Sequence, residues 1–207
     1  MIQVEHLSHR FTWGNYEKHL FNDFSFSLPK GKALVLIGES GSGKTTLLKM
    51  LCGLQQFDKG ELYIDGNNVR KLAINIAEKV NLSYLPQRVS DYFLEQSVEK
   101  EFLLSGLLED ANIQSILNDF NIKSLLNKHF NELSGGEIQR VACASFFASN
   151  SDLLLCDEPA AYLDKINLDL LKNRMQYELE NGKTILITTG NNASNPWPFR
   201  HLELLNR

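Results

Sequence analysis

A glycine-rich run near residue 40 has the composition and spacing of a phosphate-binding loop. Its eight residues match the pattern G-x-x-x-x-G-K-[ST], and they are Gly38, Glu39, Ser40, Gly41, Ser42, Gly43, Lys44 and Thr45. In such a loop the glycines let successive backbone N–H groups turn toward phosphate oxygens, and the following helix adds the positive end of its dipole. The run therefore predicts a binding site for a nucleoside triphosphate, with an ordinary glycine-rich turn as the alternative.

The side chains at the end of this loop have the types that a nucleotide with Mg²⁺ requires. We expect Lys44 to reach the β- and γ-phosphates and the Thr45 hydroxyl to bind Mg²⁺, with Thr46 as a further nucleotide contact. The apolar run 33–37 precedes the loop, and an apolar pattern typical of a helix follows it at 46–51. A buried strand before the loop and a helix after it are the context that confirms such a motif.

Two adjacent carboxylates form a second candidate group. Asp157 and Glu158 directly follow the apolar run 153–156, and open α/β sheets place their ligand chemistry at the carboxyl ends of strands. We expect Asp157 to hold Mg²⁺, directly or through water, and Glu158 to orient and deprotonate the water that attacks the γ-phosphoryl group. Taken alone, an apolar strand that ends in Asp-Glu fits a solvated surface equally well. Its combination with the phosphate loop favours the catalytic interpretation.

Hydrophobic patterning predicts the elements that position these groups. Strands are predicted at 2–5, 24–28, 33–37, 61–64, 153–156, 184–188 and near 201–205. Helices are predicted at 46–51, 137–148 and 165–180. Helical spacing also runs from 97 to 127, with apolar positions at Val98, Phe102, Leu103, Ile113, Ile116 and Leu117. The pattern favours an α/β fold in which a helical lobe, roughly 88–134, is inserted into the core.

Length and composition limit the class of protein further. With 207 residues and 43% hydrophobic content, the chain is long enough for a single domain, 1–207. The formal net charge of −4, without any run of Lys and Arg, argues against nucleic-acid binding. The first residues lack the features of a signal peptide, and the longest apolar runs are too short to cross a bilayer.

The cysteines indicate the redox environment. Cys52, Cys143 and Cys156 lie in apolar or helical contexts, without the spacing of metal or redox sites. We therefore expect buried free thiols in a reducing compartment, which is the cytoplasm.

A third short motif precedes the helix predicted at 137–148. Its residues are Leu133, Ser134, Gly135, Gly136 and Glu137, and a match of this length is expected by chance in on the order of one such chain in a thousand. Here the sequence resembles the ATP-binding cassette (ABC) ATPases, whose signature is LSGGQ or LSGGE. The resemblance implies a head-to-tail dimer in which Ser134, Gly135 and Gly136 act on the ATP held by the other subunit. A plain helix cap is the alternative.

The same resemblance implies the details of the fold. We expect a P-loop NTPase of the α/β class, with a mostly parallel core sheet, an N-terminal antiparallel β subdomain and an inserted α-helical lobe. Other family segments occur in the family's order. Leu85-Pro86-Gln87 is similar to the Q-loop, which implies that Gln87 contacts Mg²⁺ and the water and relays to a membrane partner.

Two further segments match the family at single positions. The segment from Glu158 to Asp164 resembles EPTSALD, so Asp164 is implied to contact the opposite subunit, and it also fits an N-cap for the helix 165–180. In the family an aromatic residue stacks on adenine, and Phe11 aligns with that position. Trp13 and Tyr16 are nearby substitutes, and a core position is the competing interpretation of Phe11.

The sequence departs from the family at Gly190. After the strand predicted at 184–188, the family has a switch histidine that contacts the γ-phosphate and helps to arrange Glu158 and the water. Glycine offers no side-chain donor, and losing one preorganised donor costs about a hundredfold or more in rate. We therefore expect ATP–Mg²⁺ binding with slow hydrolysis. Three explanations fit the glycine at this position: a degenerate site, a competent site in an unlike partner subunit, or a residue altered from the natural one. The nearest later histidine, His201, is expected on the last strand and not at the switch position.

The resemblance implies an ATPase subunit that powers a membrane transporter. It would lie at the inner face of the cell membrane, bound to a separate transmembrane permease and paired with a second ABC subunit, alike or unlike. The segment 87–101 is most similar to energy-coupling-factor and cobalt-type ATPases, which suggests uptake of a vitamin or a transition-metal ion. The lobe is somewhat shorter than usual for the family, which bears on the docking surface.

Two other functions share parts of these motifs. A soluble ABC ATPase in DNA repair or translation is the alternative, but such proteins carry a coiled-coil insertion or a second cassette, and this sequence has neither. A P-loop kinase for a small molecule would share residues 38–45 but would have no use for residues 133–137.

Overall fold

Two β-sheets and seven α-helices make up the part of the chain that the computed structural model describes. This part comprises residues 1–14, 16–72, 76–89, 92–104, 111–161, 163–190 and 196–204. The strands are β1 (Ile2–Trp13), β2 (Tyr16–Leu28), β3 (Ala33–Ile37), β4 (Lys59–Ile64), β5 (Asn67–Asn68), β6 (Leu82–Leu85), β7 (Leu153–Asp157), β8 (Thr184–Thr189) and β9 (His201–Glu203). The helices are α1 (Lys44–Leu51), α2 (Val69–Leu72), α3 (Ile76–Val80), α4 (Val98–Leu104), α5 (Ala111–Asp119), α6 (Gly135–Ala148) and α7 (Lys165–Glu180). None of these helices has the length and apolar character needed to cross a membrane.

A five-stranded parallel sheet forms the centre of the fold, in the order β6-β7-β8-β3-β9. Every residue of β7 is buried. Successive residues of a strand face opposite sides of the sheet, and accordingly Leu153 and Leu155 belong to one apolar cluster while Leu154 and Cys156 belong to another. A sheet covered on both faces explains why the runs 33–37 and 153–156 are apolar without alternation. Both predicted strands are confirmed, and β7 extends to include Asp157.

The two apolar clusters cover the opposite faces of this sheet. One cluster joins it to α1 and the antiparallel sheet, and it includes Val4, Leu47, Leu51 and Leu62. The other joins it to α5, α6 and α7, and it includes Ile116, Phe146 and Met175. The three cysteines are buried and free, as predicted. Burial raises the pKa of Cys52 and Cys143 to about 12, so both remain protonated thiols at neutral pH.

A long hairpin of β1 and β2 dominates the antiparallel sheet, whose order is β2-β1-β4-β5. The strands predicted at 2–5 and 24–28 are wrong in extent, because they cover only the base of this hairpin. Register shifts between Val4 and Arg10 interrupt the alternation of apolar and polar residues on which the prediction depended. The missed part carries Phe11 and places it directly opposite Lys18.

The helices predicted at 46–51, 137–148 and 165–180 are present and differ from the prediction only at their first residues, whereas α2 and α3 were not predicted. α1 begins at Lys44 rather than at 46, and α6 begins at Gly135 rather than at 137. Gly43 precedes α1, and Gly135 and Gly136 begin α6. Because glycine has low helical propensity, the pattern did not predict these first turns. α7 has the predicted bounds, and Asp164 caps it by accepting a hydrogen bond from the Asn167 N–H at 2.8 Å.

The lobe packs on the core through a shared apolar cluster. Five of its six predicted apolar positions are buried in this cluster, namely Val98, Phe102, Ile113, Ile116 and Leu117. The sixth prediction is wrong, because Leu103 is 54% exposed. Arg174 of α7, itself buried, lies 3.1 Å from Asp119 of α5 and 2.5 Å from Glu178. An ionic contact therefore joins the lobe to the core at a second place. The predicted α/β class, with a parallel core, an antiparallel subdomain and a helical lobe, is confirmed.

Candidate nucleotide-binding site

Four segments of the predicted site leave the parallel sheet along one edge. The neighbours β6, β7, β8 and β3 end together, because Asp157 pairs with Thr188 and Ile37 pairs with Thr189. The segments that follow these strands carry Gln87, Glu158, Gly190 and the phosphate loop 38–45, respectively. In an open α/β sheet, this carboxyl edge is where ligands bind.

Glycines shape the phosphate loop between β3 and α1. Gly41 and Gly43 have φ angles of +78° and +100°, a region that side chains rarely adopt. A Cβ at Gly43 would lie 2.7 Å from the Phe21 ring, and one at Gly38 would lie 2.5 Å from the Ser42 hydroxyl oxygen. No side chain caps α1 at Gly43, so its first N–H groups point into the loop, where an anion can accept from them.

Lys44 is held over this loop and is buried. Its Nζ donates to the Gly38 carbonyl at 2.7 Å and to the Glu39 carbonyl at 3.0 Å. It also lies 3.6 Å from Oε1 of Glu158. A buried ammonium group needs such partners, since desolvation of an unpaired charge is costly. The cation thus stands between the N–H groups of the loop and the candidate base.

The two acids differ in how firmly they are held. Asp157 is 1% exposed, and it accepts a hydrogen bond from the Thr188 hydroxyl at 2.6 Å and one from the Tyr84 hydroxyl at 3.4 Å. Burial and the nearby Asp157 raise the pKa of Tyr84, so its hydroxyl remains a donor. Glu158 has a φ of +49°, an uncommon conformation for a side-chain-bearing residue that often occurs at functional sites. Its carboxylate faces the phosphate loop.

Thr188 connects the two acids, and sequence reasoning missed it. Its hydroxyl donates to Oδ1 of Asp157 and accepts from the Glu158 N–H at 3.0 Å. Thr188 is fully buried at the end of β8. Thr188 is a polar residue at the end of the mostly apolar strand predicted at 184–188, and this could have marked it as functional. Its partner Asp157, however, lies 31 residues away in the chain.

Gln87 completes a chain of contacts across the site. Its Nε2 donates to Oε2 of Glu158 at 3.0 Å. Lys44 and Gln87 therefore hold the two oxygens of one carboxylate, which fixes its orientation toward the loop.

A cavity of about 300 Å³ collects most of the predicted nucleotide contacts. Its lining residues are Phe11, Lys18, Leu20, Ser40, Gly41, Gly43, Lys44, Thr45, Thr46, Gln87 and Glu158. Gly38 and Glu39 contribute carbonyls to Lys44 but do not line it, and Ser42 faces a different cavity. Lys18 and Leu20 are lining residues that sequence reasoning missed, because the strand that carries them was not predicted.

The three candidates for adenine stacking, Phe11, Trp13 and Tyr16, differ in their position relative to this cavity. Phe11 lines the cavity and is 44% exposed, so a core position for it is wrong. The ring of His9 contacts it edge-on at a centroid distance of 5.0 Å. Tyr16 is 65% exposed near the tip of the hairpin and is not a lining residue. The side chain of Trp13 lies outside the described residues.

The predicted Mg²⁺ ligands meet in an adjoining cavity of about 610 Å³. Thr45, Gln87 and Asp157 all line it, together with Tyr84. Hydroxyl, amide and carboxylate oxygens suit this hard cation, which in nucleotide sites takes few protein ligands and completes its shell with phosphate and water oxygens. Within the described ranges no three His, Cys, Asp or Glu side chains cluster as metal ligands. The residues fit Mg²⁺ bound with a nucleotide better than a metal held by protein alone.

The signature residues lie apart from both cavities. Ser134 and Gly135 are exposed at the start of α6, and residues 134–136 are not among the lining residues. The Ser134 hydroxyl accepts from the Glu137 N–H at 3.3 Å, and the Glu137 carboxylate accepts from the Ser134 N–H at 2.8 Å. These two bonds form a capping box. The pKa of Glu137 is lowered because its carboxylate accepts from the Ser134 N–H and also from the Ser134 hydroxyl, each at 2.8 Å. A helix cap is present, and it leaves the motif facing outward.

The remaining predicted positions are at the edges of the site. Gly190 is described, and a Cβ built on it meets no atom within 4 Å among the described residues. His201 is exposed on β9, as predicted for the last strand. Tyr162, in the segment that resembles EPTSALD, lies outside the described residues, as do residues 191–195.

The fold and site together define the class of protein. A phosphate loop and a pair of acids at the carboxyl edge of a parallel sheet are the parts of a P-loop NTPase. A family model described as ABC transporter matches residues 21–161, which is most of the chain. The chain belongs to the ABC transporter family and is an ATPase of that family.

Relatives named for different transport tasks are similar to it. The molybdate/tungstate import ATP-binding protein WtpC of Thermococcus kodakarensis is 32% identical over 84% of this chain and 54% of its own length. The cytochrome c biogenesis ATP-binding export protein CcmA of Nitrosomonas europaea is 30% identical over 84% and 82%. The energy-coupling factor transporter ATP-binding protein EcfA1 of Fusobacterium nucleatum is 34% identical over 92% and 74%. The chain thus spans about half of the first protein and most of the other two.

Solved structures share the fold. The dimeric structure of MJ0796, a bacterial ABC transporter cassette, has a TM-score of 0.75 at 25% identity, and the match covers 91% of this chain and 88% of that chain. The ATP-binding subunit of another ABC transporter has a TM-score of 0.76 at 23% identity, over 92% and 80%. The P-loop NTPase fold is thereby confirmed.

The contacts of Thr188 give a prediction about Mg²⁺. Thr188→Val keeps the shape but removes both hydrogen bonds, so we expect a severalfold higher Mg²⁺ concentration for half-maximal ATP hydrolysis and about a tenfold lower rate. The matched control is Thr184→Val, since Thr184 is equally buried in β8 but accepts from the Gly31 N–H at the strand's other end. Thr188→Ser should restore both quantities. Equal Mg²⁺ dependence in Thr188→Val and Thr184→Val would contradict the assignment.

Proposed function

We propose that this chain is an ATP-hydrolysing subunit that powers a membrane transporter through ATP-driven dimerisation. The observation that carries the proposal is the meeting of Lys44, Gln87 and Glu158 at one end of the cavity formed by the phosphate loop. Membership of the ABC transporter family supports the coupling to transport.

The main residues of the two cavities have distinct chemical roles in this proposal. Phosphate oxygens accept from the N–H groups of the loop 38–45, while Lys44 neutralises the terminal phosphates. Thr45, Gln87 and Asp157 would hold Mg²⁺, which would supply charge neutralisation at the phosphates. Glu158 accepts a proton from the attacking water. Phe11 stacks on the base.

A second subunit is needed because the signature faces away from this cavity. Ser134 and Gly135 are exposed, and their helix N-terminus offers N–H groups to an anion outside the chain. A head-to-tail partner would bring its own phosphate loop to them. The dimeric MJ0796 cassette, which shares the fold, supports the pairing of two such chains.

The docking of a separate permease is proposed for the face beside Gln87 and the lobe. Two leucines there expose apolar surface, Leu94 at 86% and Leu103 at 54%. A permease that covered these two side chains would remove their apolar surface from water, which favours docking there. A partner in the membrane would hold the chain at its inner face. The relatives' names range over import and export, and the resemblance of segment 87–101 to energy-coupling-factor and cobalt-type ATPases supports uptake of a vitamin or a transition-metal ion.

The absence of a side chain at residue 190 leads us to expect a low rate of ATP hydrolysis. Among the described residues the Glu158 carboxylate contacts Lys44 and Gln87, and position 190 adds no side-chain donor to the transferring phosphoryl group. We propose that binding is normal and hydrolysis slow. The same reasoning applies to a dimer of two like chains, since both sites would have glycine there.

Gly190→His is expected to raise hydrolysis. The position has room for a Cβ among the described residues, and a donor to the transferring phosphoryl group contributes about a hundredfold in related chemistry. Single-turnover hydrolysis should therefore rise by about tenfold or more, while the Kd for ATP stays within about twofold. Gly190→Ala is the matched control, since it adds a Cβ without a donor. Unchanged hydrolysis in Gly190→His, together with ordinary turnover in the natural chain, would refute the proposal.

Ser134→Ala distinguishes ATP binding by one chain from closure of the site by the signature of a second chain. We expect the variant to bind ATP within about threefold of the natural chain but to lose ATP-driven dimerisation, measured by analytical ultracentrifugation in a Glu158→Gln background that suppresses hydrolysis. Lys44→Ala should lose both binding and dimerisation. Loss of the Ser134 cap of α6 should lower the free energy of unfolding by about 1 kcal/mol. Thermal unfolding of the variant measures this loss. A P-loop kinase would instead show no dimerisation in any variant.

Affinity purification from source membranes tests the transport coupling. We expect a transmembrane protein to co-elute with the tagged chain, and Leu94→Asp to weaken that association while ATP binding persists. Leu54→Asp is the control, because Leu54 is also exposed, at 68%, but lies three residues after the end of α1. Recovery of ribosomes or nucleic acid alone would contradict the coupling to transport.

A further inference from the structure

We propose that Lys18 is a second cation for the nucleotide, which contacts the α- and β-phosphates while it fixes the phosphate loop. This inference rests on the proposed ATP-binding function. Lys18 is half-buried on β2 and lines the same cavity as Lys44. It belongs to neither the phosphate-loop motif nor the pair of acids.

The hairpin determines where Lys18 lies. It pairs directly with Phe11 across β1 and β2, and residues directly opposite each other point to the same face of a sheet. Both side chains line the cavity. The Nζ of Lys18 donates to the Gly41 carbonyl at 2.9 Å. The cation therefore sits between the aromatic ring that faces the base and the middle of the phosphate loop.

The charges of the cavity indicate what Lys18 can bind. Lys44 lies close to Glu158, so that pair is nearly neutral. Lys18 adds a positive charge that no lining carboxylate offsets within hydrogen-bond distance in the described part of the chain. An ammonium group has three protons, and the Gly41 carbonyl takes one of them. The others suit phosphate oxygens, which are strong acceptors for a charged donor.

The position also indicates which phosphates are contacted. Lys44, Thr45, Gln87 and Glu158 gather at the end of the cavity where transfer of the γ-phosphoryl group is proposed. Lys18 lies on the side of Phe11. Its contact should therefore be common to ATP and ADP, unlike a contact to the γ-phosphate.

Calorimetric titration of the full chain with ATP and with ADP, each with Mg²⁺, tests the proposal. Lys18→Ala and Lys18→Gln should each weaken both nucleotides by about tenfold, since a charge-assisted hydrogen bond is lost. Lys18→Arg, which keeps charge and donor, should stay within about threefold. The control is Lys172→Ala on α7, which removes the same charge from a half-buried lysine paired with Asp169 at 3.7 Å. The losses should shrink as salt is raised.

The outcomes separate this inference from the proposed function. Full affinity in Lys18→Gln would mean that a neutral hydrogen bond to Gly41 suffices, and it would overturn the phosphate contact. If affinity were lost for ATP but not for ADP, Lys18 would contact the γ-phosphate, and the proposed contact to the α- and β-phosphates would be wrong. In either case Lys44→Ala would still abolish ATP binding. If the natural chain bound neither nucleotide, the proposed function would be wrong and this inference with it.

Discussion

The parallel pairing of β6, β7, β8 and β3 is the constraint on which the rest of the site depends. Its register sets Leu85 against Cys156, Asp157 against Thr188 and Ile37 against Thr189. A slip of one residue would turn each of these side chains to the other face. The register is secure because both faces of the sheet are packed by apolar clusters. Residues far from the chemistry therefore fix the approach of Lys44 to Glu158.

Charge balance is the second requirement at this edge. Lys44 and Asp157 are both almost completely buried, and each is stabilised by specific polar partners rather than by water. Glu158 is more exposed, with 29% of its side chain accessible, and it contacts Lys44 and Gln87. The rigid acid suits a metal, and the accessible acid suits proton transfer from water. Their surroundings thus suit two neighbouring carboxylates to the different roles proposed for them.

Local sequence predicted the parts of the site that are contiguous in the chain. The loop 38–45, the acids after β7 and the cap at Asp164 each depend on neighbours within a few residues, and each lies where it was expected. Lys18 and Thr188 were missed because their partners are 23 and 31 residues away. The upper hairpin was missed because bulges in β1 disturb the period of two. Pairing across a sheet is a long-range property, and composition alone does not specify it.

The signature loop is held by hydrogen bonds between its own residues, which bears on how two chains would assemble. Ser134 and Glu137 satisfy each other in the capping box, so α6 needs no partner to begin where it does. Glu137 adds a negative charge beside the N–H groups that an ATP phosphate would approach, and Lys128 lies 3.7 Å from it. The attraction for an anion therefore comes from the helix dipole and the backbone, while the side-chain charges nearly cancel. In the proposed dimer a polyanion fixed on the facing subunit would meet these N–H groups, so assembly would depend on nucleotide binding rather than on hydrolysis.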